Sequence, residues 1–295
     1  MTTDQPLTPG DFSRSLKVGT LDRSYLVHVP PSYDASKPAP VVLAFHGGAS
    51  NAAQMVRFCG LSDKADEAGF ICVYPNGTGR LNGAFTWNGG NCCGYAKQHQ
   101  IDDVAFVRAL LSDLNQVAAI DRRRVFATGM SNGAILSYRL AAEMADQIAA
   151  IAPVAGTMGT EARNPTRPVP VIHFHGTDDD FCPFQGGRGR KSVSGTDHVS
   201  VERTIQAWIA ADGCPTEPRL LRLEAGGGRP EEVGGVVRKT YGPGRDGAEV
   251  VLYKIEGGGH TWPGRHPRLF FLGHSTKIIS ANDLMWEFFQ RYPIN

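Results

Sequence analysis

Short apolar runs bounded by turn residues, alternating with stretches of helical periodicity, recur through the first two thirds of this 295-residue chain, and that order restricts the fold more than any single residue does. Strands separated by helices can pair in parallel, since a parallel pair needs a long crossover. A parallel sheet in turn needs apolar cover on both faces. Tyr25–Val29, Val41–Phe45, Phe70–Tyr74, Val125–Thr128, Ile148–Pro153, Val169–Phe174 and Glu249–Ile255 read as strands. Asp102–Val117 is the clearest helix, with Val104, Val107, Leu110, Leu111 and Leu114 on one stripe. Ser131–Met144, Val199–Ala211 and Asn282–Arg291 are further helices, and Met285, Trp286, Phe288 and Phe289 suit the last for docking on the sheet. The expectation is an α/β fold in one domain, residues 1–295, its mostly parallel twisted sheet covered by helices on both faces. Residues 1–12, polar and proline-containing at their start, read as a poorly ordered extension.

Two segments resist the alternation. Asn76–Gln100 is rich in Gly and Asn, carries Trp87, Cys92, Cys93 and Tyr95, and is too long for a simple connector, which makes it a candidate binding loop. Gly226–Gly235 reads as a solvated hairpin tip. Thirty Lys and Arg against 29 Asp and Glu leave a net charge of +1, with no basic stripe to attract nucleic acid. No run approaches the ~18 apolar residues needed to cross a bilayer. Nor does the polar start carry a signal peptide, so the chain is expected to be cytoplasmic or to have lost a leader. Six cysteines (Cys59, Cys72, Cys92, Cys93, Cys182, Cys214) show no zinc spacing, so no metal site is expected. The adjacent Cys92 and Cys93 suit two buried thiols, bonds to separate partners, or a vicinal bridge.

Chemistry enters at Gly129-Met130-Ser131-Asn132-Gly133, which follows the strand Val125–Thr128 and opens a helix. A serine there sits on a sharp strand-to-helix turn with its hydroxyl projecting from the sheet, and the flanking glycines let the backbone fold that tightly. Such a hydroxyl is protonated at neutral pH, so it needs a base, and the base needs an acceptor to fix its tautomer. In α/β hydrolases the acid and then the histidine follow the serine along the chain. His260, in a glycine-lined loop after the strand ending at Ile255, is the candidate base. After Phe174 the chain offers Asp178, Asp179 and Asp180, of which Asp179 is favoured and Asp178 is the alternative.

Ester cleavage also builds an oxyanion, which backbone N–H groups must meet. Asn132, after the nucleophile, is one expected donor and Gly48, in His46-Gly47-Gly48, the other, with Gly47 as fallback. Trp87 and Trp262 flank these motifs and suit either an aromatic wall for substrate or buried packing. His173 and His175 alternate on a strand and could mimic a metal pair, although a strand residue and a loop contact explain them better. Asp102 and Asp103 read as caps of the following helix.

His46-Gly47-Gly48, Trp87-Asn88-Gly89-Gly90-Asn91-Cys92-Cys93-Gly94, Ile101-Asp102-Asp103-Val104, Thr128 to Ala134, His175-Gly176-Thr177, Gly258 to Gly264 and Trp286-Glu287-Phe288-Phe289 occur in one order along nearly the whole chain. In that order they resemble the polyhydroxybutyrate depolymerase and feruloyl esterase family of α/β hydrolases. The resemblance implies a lidless serine esterase without cofactor, with Ser131, Asp179 and His260 as its triad. Its substrates would be aromatic-acid or acetyl esters of plant polysaccharide, or short polyester units. The resemblance also implies secretion or a periplasmic location, as is common in the family. Without an appended binding module, a soluble ester or an oligomer is favoured over solid polyester. A peptidase or acyltransferase with the same triad, and a catalytically inactive carbohydrate-binding relative, are the other classes such a chain can belong to.

Overall fold

A computed structural model describes residues 5–81, 83–160, 165–192, 194–224, 234–266 and 269–294. Its strands are β1 (Gly10–Val18), β2 (Leu21–Val29), β3 (Ala39–Phe45), β4 (Ile71–Pro75), β5 (Ile120–Met130), β6 (Ala150–Val154), β7 (Val171–Gly176), β8 (Gly187–Arg188), β9 (Asp197–His198), β10 (Arg219–Leu223), β11 (Val236–Tyr241) and β12 (Val250–Ile255). Its helices are α1 (Ala52–Cys59), α2 (Leu61–Ala68), α3 (Gly94–Gln98), α4 (Asp103–Val117), α5 (Asn132–Glu143), α6 (Val201–Asp212) and α7 (Ala281–Phe289). Ten strands form one sheet in the order β1-β2-β4-β3-β5-β6-β7-β12-β11-β10, and β8 pairs with β9 apart from it. The stretch from β4 to β12 is parallel throughout, while β1, β2, β10 and β11 pair antiparallel at the two flanks.

The pleat sorts each central strand between two cores. Val41, Leu43 and Phe45 of β3 point into a layer with Val104, Val107, Leu110 and Leu114 of α4 and Ile205 and Trp208 of α6. Val42 and Ala44 point the other way, toward Met55 of α1, Leu61 of α2 and Met285, Phe288 and Phe289 of α7. The Phe289 ring stacks on Phe126 of β5 at 4.5 Å, so the last helix docks on the sheet as its composition suggests.

All seven expected strands and all four expected helices are present, most within two residues of their expected ends. β2 and β5 are the exceptions: β2 begins at Leu21 rather than Tyr25, and β5 at Ile120 rather than Val125, the latter because its early residues, Asp121–Arg124, are largely solvated and carry no apolar pattern. Residues 5–12 are ordered, contrary to the expectation of an extension. Leu7 is buried, its N–H donates to the Val117 carbonyl at 2.7 Å, and β1 starts at Gly10. An edge strand with one solvated face has too few apolar residues to announce itself. Of the Gly226–Gly235 stretch only Gly234 and Gly235 lie within the described residues, and they lead into β11.

Strand order places the functional region. From β3 the chain crosses to β4 on one side, then returns past β3 to β5 on the other. The crevice outside the carboxyl ends of β3 and β5 is therefore the switch point at which open α/β sheets take their ligands. Gly47 and Gly48 follow β3 there, and Ser131 follows β5.

Candidate active site

Ser131 has φ 57° and ψ −119°, a conformation that side-chain-bearing residues avoid. Two features hold it. Its N–H donates to the Val154 carbonyl at 2.9 Å, and its carbonyl accepts from the Ile135 N–H of α5 at 3.0 Å. The elbow also presses against the end of β3: a Cβ on Gly133 would collide with the carbonyls of Phe45 and His46. Glycine is required at that position by close approach of two backbones.

Asp179 follows β7 and is buried, unlike its neighbours. Asp178 faces solvent, and Asp180 pairs with Arg190 and with Lys191, the latter at 3.2 Å. Asp179 Oδ1 accepts from the N–H groups of Phe181 and Cys182, both at 2.8 Å, and Oδ2 accepts from His260 Nδ1 at 2.7 Å. Burial alone would raise its pKa, but the facing His260 and the nearby His175 outweigh that and hold it below the ordinary carboxylate value. Asp179 is therefore ionised and an acceptor only, which fixes the proton of a neutral His260 on Nδ1 and leaves Nε2 as a lone pair. His260 lies in the loop beyond β12, where its N–H donates to the Leu272 carbonyl at 2.7 Å and its ring stacks on Phe181 at 4.9 Å. A Cβ on Gly259 would lie 2.7 Å from Gly273 Cα, so the loop can run this close to its neighbour only with glycine there.

The structure thus joins Asp179 to His260, and it sets Ser131 at the same carboxyl edge of the sheet. No hydrogen bond links the Ser131 hydroxyl to His260 in this arrangement.

The glycine loop lies over the elbow. A Cβ on Gly47 would sit 3.6 Å from Ser131 Cβ, and one on Gly48 would sit 3.8 Å from Asn132 Cβ. Gly48 N–H has no acceptor among the described residues. Asn132, first residue of α5, has no intrahelical acceptor for its own N–H. The loop is braced from below by His46, whose Nδ1–H donates to the Gly47 carbonyl at 2.7 Å and whose Nε2 accepts from Gly77 N–H at 3.0 Å. Burial pushes the His46 pKa down to about 4, in keeping with this neutral tautomer.

Neither tryptophan forms a wall. Trp87 is fully buried and braces the site: its indole N–H donates to the His46 carbonyl at 2.9 Å, its ring packs on Phe45 and His46, and its backbone exchanges bonds with the Asn132 amide at 2.7 and 3.0 Å. Trp262 is buried against Phe58 on the α1–α7 side and donates to Asn282 Oδ1 at 2.8 Å. Proximity in sequence to a functional motif put these rings near the site without exposing them to it. Within Asn76–Gln100, Cys92 and Cys93 are bridged to each other as a vicinal pair, and the other four cysteines are free and buried.

Three supporting features carry weak sequence signals. Asp102 caps α4 as expected, through the Ala105 N–H at 2.8 Å. Asp103 instead is buried against Arg23, at 2.7 Å, and accepts the Asn88 N–H at 2.8 Å, which pins the Trp87 loop to β2. The third is a chain behind Asp179. Cys182 O can only accept, so His175 Nε2–H donates to it at 2.8 Å; His175 Nδ1 then accepts from His173 Nε2–H at 3.0 Å, and His173 Nδ1 from the Tyr138 hydroxyl at 2.7 Å. Burial lowers the pKa of both imidazoles, so both are neutral links, with every ring nitrogen spent. Among the described residues no group of three or more His, Cys, Asp or Glu is placed to hold a metal ion, and no helix is long and apolar enough to cross a membrane.

Comparison with known proteins bears on this arrangement. Residues 23–224 match the family described as esterase PHB depolymerase. Feruloyl esterase B of Piromyces equi is 28% identical over 81% of this chain, which spans 42% of that protein's length. Feruloyl esterase C of Emericella nidulans is 26% identical over 90% of this chain and 83% of its own. Among solved structures, an acetyl xylan esterase from Aspergillus awamori superposes with a TM-score of 0.58 at 14% identity, covering 85% of this chain and 94% of the other. That likeness identifies the architecture as the α/β-hydrolase fold.

Proposed function

The chain belongs to the PHB depolymerase family of esterases, and from that premise we propose that this carboxylic-ester hydrolase works by acyl transfer through Ser131, with His260 as base and Asp179 as the group that orients it. The buried Asp179–His260 pair, formed at the carboxyl edge that also carries the strained Ser131, supports the reading most directly. Nε2 of His260 takes the hydroxyl proton as the serine oxygen attacks the ester carbonyl. The N–H groups of Asn132 and Gly48 hold the resulting oxyanion, a role in which one lost donor costs about 2.7–4 kcal/mol. Collapse of this intermediate breaks the ester C–O bond, and the imidazolium returns its proton to the leaving alcohol. Water activated by the same imidazole then hydrolyses the acyl-enzyme. The β5 and β12 ends lie three strand steps apart, ~14 Å, a distance the five residues from Ile255 to His260 have the length to cover.

The substrates proposed are feruloyl or acetyl esters of plant polysaccharide, or short hydroxyalkanoate oligomers, in line with the names of the relatives. A panel of p-nitrophenyl acyl esters, methyl ferulate, acetyl xylan and hydroxybutyrate oligomers ranks them. The nucleophile is tested by Ser131→Ala together with labelling by a serine-reactive phosphonate. The expected outcome is a folded variant with turnover reduced by about 10³-fold or more and no label, against stoichiometric labelling at Ser131 in the parent. Substantial residual turnover in the variant, or label on another serine, rejects the assignment.

A further inference from the structure

Leu269, Phe270 and Phe271 stand in a row on the surface, 50%, 95% and 41% exposed. Scattered apolar side chains at a surface are ordinary; a contiguous aromatic group beside a reactive centre marks a place where something binds. This group is continuous with the imidazole. Phe181, half-buried, stacks on the His260 ring with centroids 4.9 Å apart, Phe271 meets Phe181 at 6.3 Å, and Phe270 packs edge-on against Phe271 at 6.1 Å. It is also fastened to the reactive loop. The Leu272 carbonyl accepts from His260 N–H at 2.7 Å, the His274 carbonyl from Gly259 N–H at 2.9 Å, and the Phe271 carbonyl from Lys191 Nζ at 3.1 Å. Lys191 and Arg190 are both drawn to Asp180, away from the exposed rings, so the rings themselves present carbon rather than charge.

The reaction decides which half of an ester this track would meet. In acyl transfer the imidazolium gives its proton to the alcohol oxygen, so the leaving group lies on the His260 side, while the carbonyl oxygen turns toward the N–H donors of Gly48 and Asn132. Aromatic rings that start on the imidazole and run outward therefore follow the alcohol. We infer that Phe181, Phe271, Phe270 and Leu269 form a subsite for an uncharged, apolar alcohol moiety, an aryl or multi-carbon alkyl group, on the leaving-group side of the bond, which among the proposed substrates favours the hydroxyalkanoate oligomers over esters whose alcohol is a sugar.

This inference rests on the acyl-transfer reading, and the experiment separates the two. kcat/KM is measured for methyl acetate, benzyl acetate and methyl phenylacetate in the parent, Phe270→Ser and Phe271→Ser. The benzyl-to-methyl acetate ratio falls about tenfold in the variants, the scale expected for losing burial of a few apolar carbons, while the methyl phenylacetate-to-methyl acetate ratio stays within twofold. An unchanged benzyl ratio overturns the subsite, and so does a fall confined to the acyl series. Sedimentation velocity showing a dimer that Phe270→Ser dissociates, with the benzyl ratio intact, overturns it in favour of self-association. Phe270 is almost fully exposed, so its variant decides the matter even if Phe271→Ser does not fold. Ser131→Ala is run on the same esters. Turnover surviving there rejects the parent reading, whereas abolished turnover with an unchanged benzyl ratio in Phe270→Ser and Phe271→Ser rejects the subsite alone.

Discussion

Ser131 is held where a Cβ is unwelcome, and the elbow keeps it there through the Val154 carbonyl and the close approach of β3 to Gly133. A side chain at positive φ costs roughly 1–3 kcal/mol. Alanine at position 131 keeps that cost, because it keeps the Cβ; glycine removes it and gives back roughly 0.5–1 kcal/mol in unfolded-chain entropy. Ser131→Gly is therefore expected to be more stable than Ser131→Ala by about 1 kcal/mol, the reverse of the usual order, with both expected to be inactive. Parallel thermal melts read the difference, and a less stable glycine variant would mean that the elbow is unstrained. The same sterics made this residue legible: glycines two before and two after a serine, between a strand and a helix, have few other reasons to coincide. Trp87 and Trp262 were not legible in that way. An indole beside a motif carries no sign of which way it turns, and only the acceptors at His46 and Asn282 reveal that both turn inward.

At the scale of elements, β7 and its tail do the work of aiming Asp179. Three successive carboxylates leave the strand, and the sequence narrowed the choice without closing it; what selects Asp179 is the tight turn in which its Oδ1 collects the N–H groups of Phe181 and Cys182. That turn is anchored from within by the Tyr138–His173–His175 chain, which ends on the Cys182 carbonyl. Replacing His175 with leucine strands a buried carbonyl and a buried imidazole N–H, each worth about 1–3 kcal/mol, and releases the turn that orients Asp179. Displacement of the acid by a fraction of an ångström should appear in kcat, with a loss of about ten- to a hundredfold, while KM for a small ester stays near the parent value. A fall in stability with kcat unchanged would show that the chain serves packing alone. Periodicity could read β7, because a strand buried on both faces is a short, largely apolar run, here Val171, Ile172 and Phe174 broken only by His173. It could not read β1, whose burial is partial and one-sided, or β10, which is exposed along nearly its whole length. The Arg23–Asp103 pair, 80 residues apart, has no local signature at all.

The whole molecule separates chemistry from support by the two ends of its sheet: Ser131, Asp179, His260 and Gly48 follow carboxyl ends of parallel strands, and the opposite edge carries no part of the proposed mechanism. That far edge holds one group under electrostatic load. Asp212, last residue of α6, accepts the Val169 N–H ahead of β7 at 2.9 Å through Oδ1, but its buried Oδ2 has no hydrogen-bond partner among the described residues. Burial raises its pKa to about 7, against the pull of the Val169 N–H, Arg245 and Arg167. An unfolded aspartate titrates near 4, roughly 3.9 in model peptides. Between those values the folded chain keeps a proton that the unfolded chain has lost, so this residue makes stability fall as pH rises through the window, and the full penalty stands above pH 7. The neutral buried histidines, His46, His173 and His175, act in the opposite sense: their folded pKa values lie below the unfolded value, so they withdraw stability as pH falls below about 6.5. Comparing Asp212→Asn with the parent cancels the histidine contribution, because both proteins carry it. Asparagine imitates the protonated acid, so the variant should melt higher than the parent at pH 8 and by a smaller margin at pH 5, each recovered kcal/mol adding about 2–4 °C in domains approaching this size. Its kcat should not move at either pH, since the substitution lies at the edge of the sheet remote from Ser131. A melting gap of the same size at both pH values would show that Asp212 is ionised throughout in the folded protein and that its neighbouring arginines, not a retained proton, make its burial tolerable.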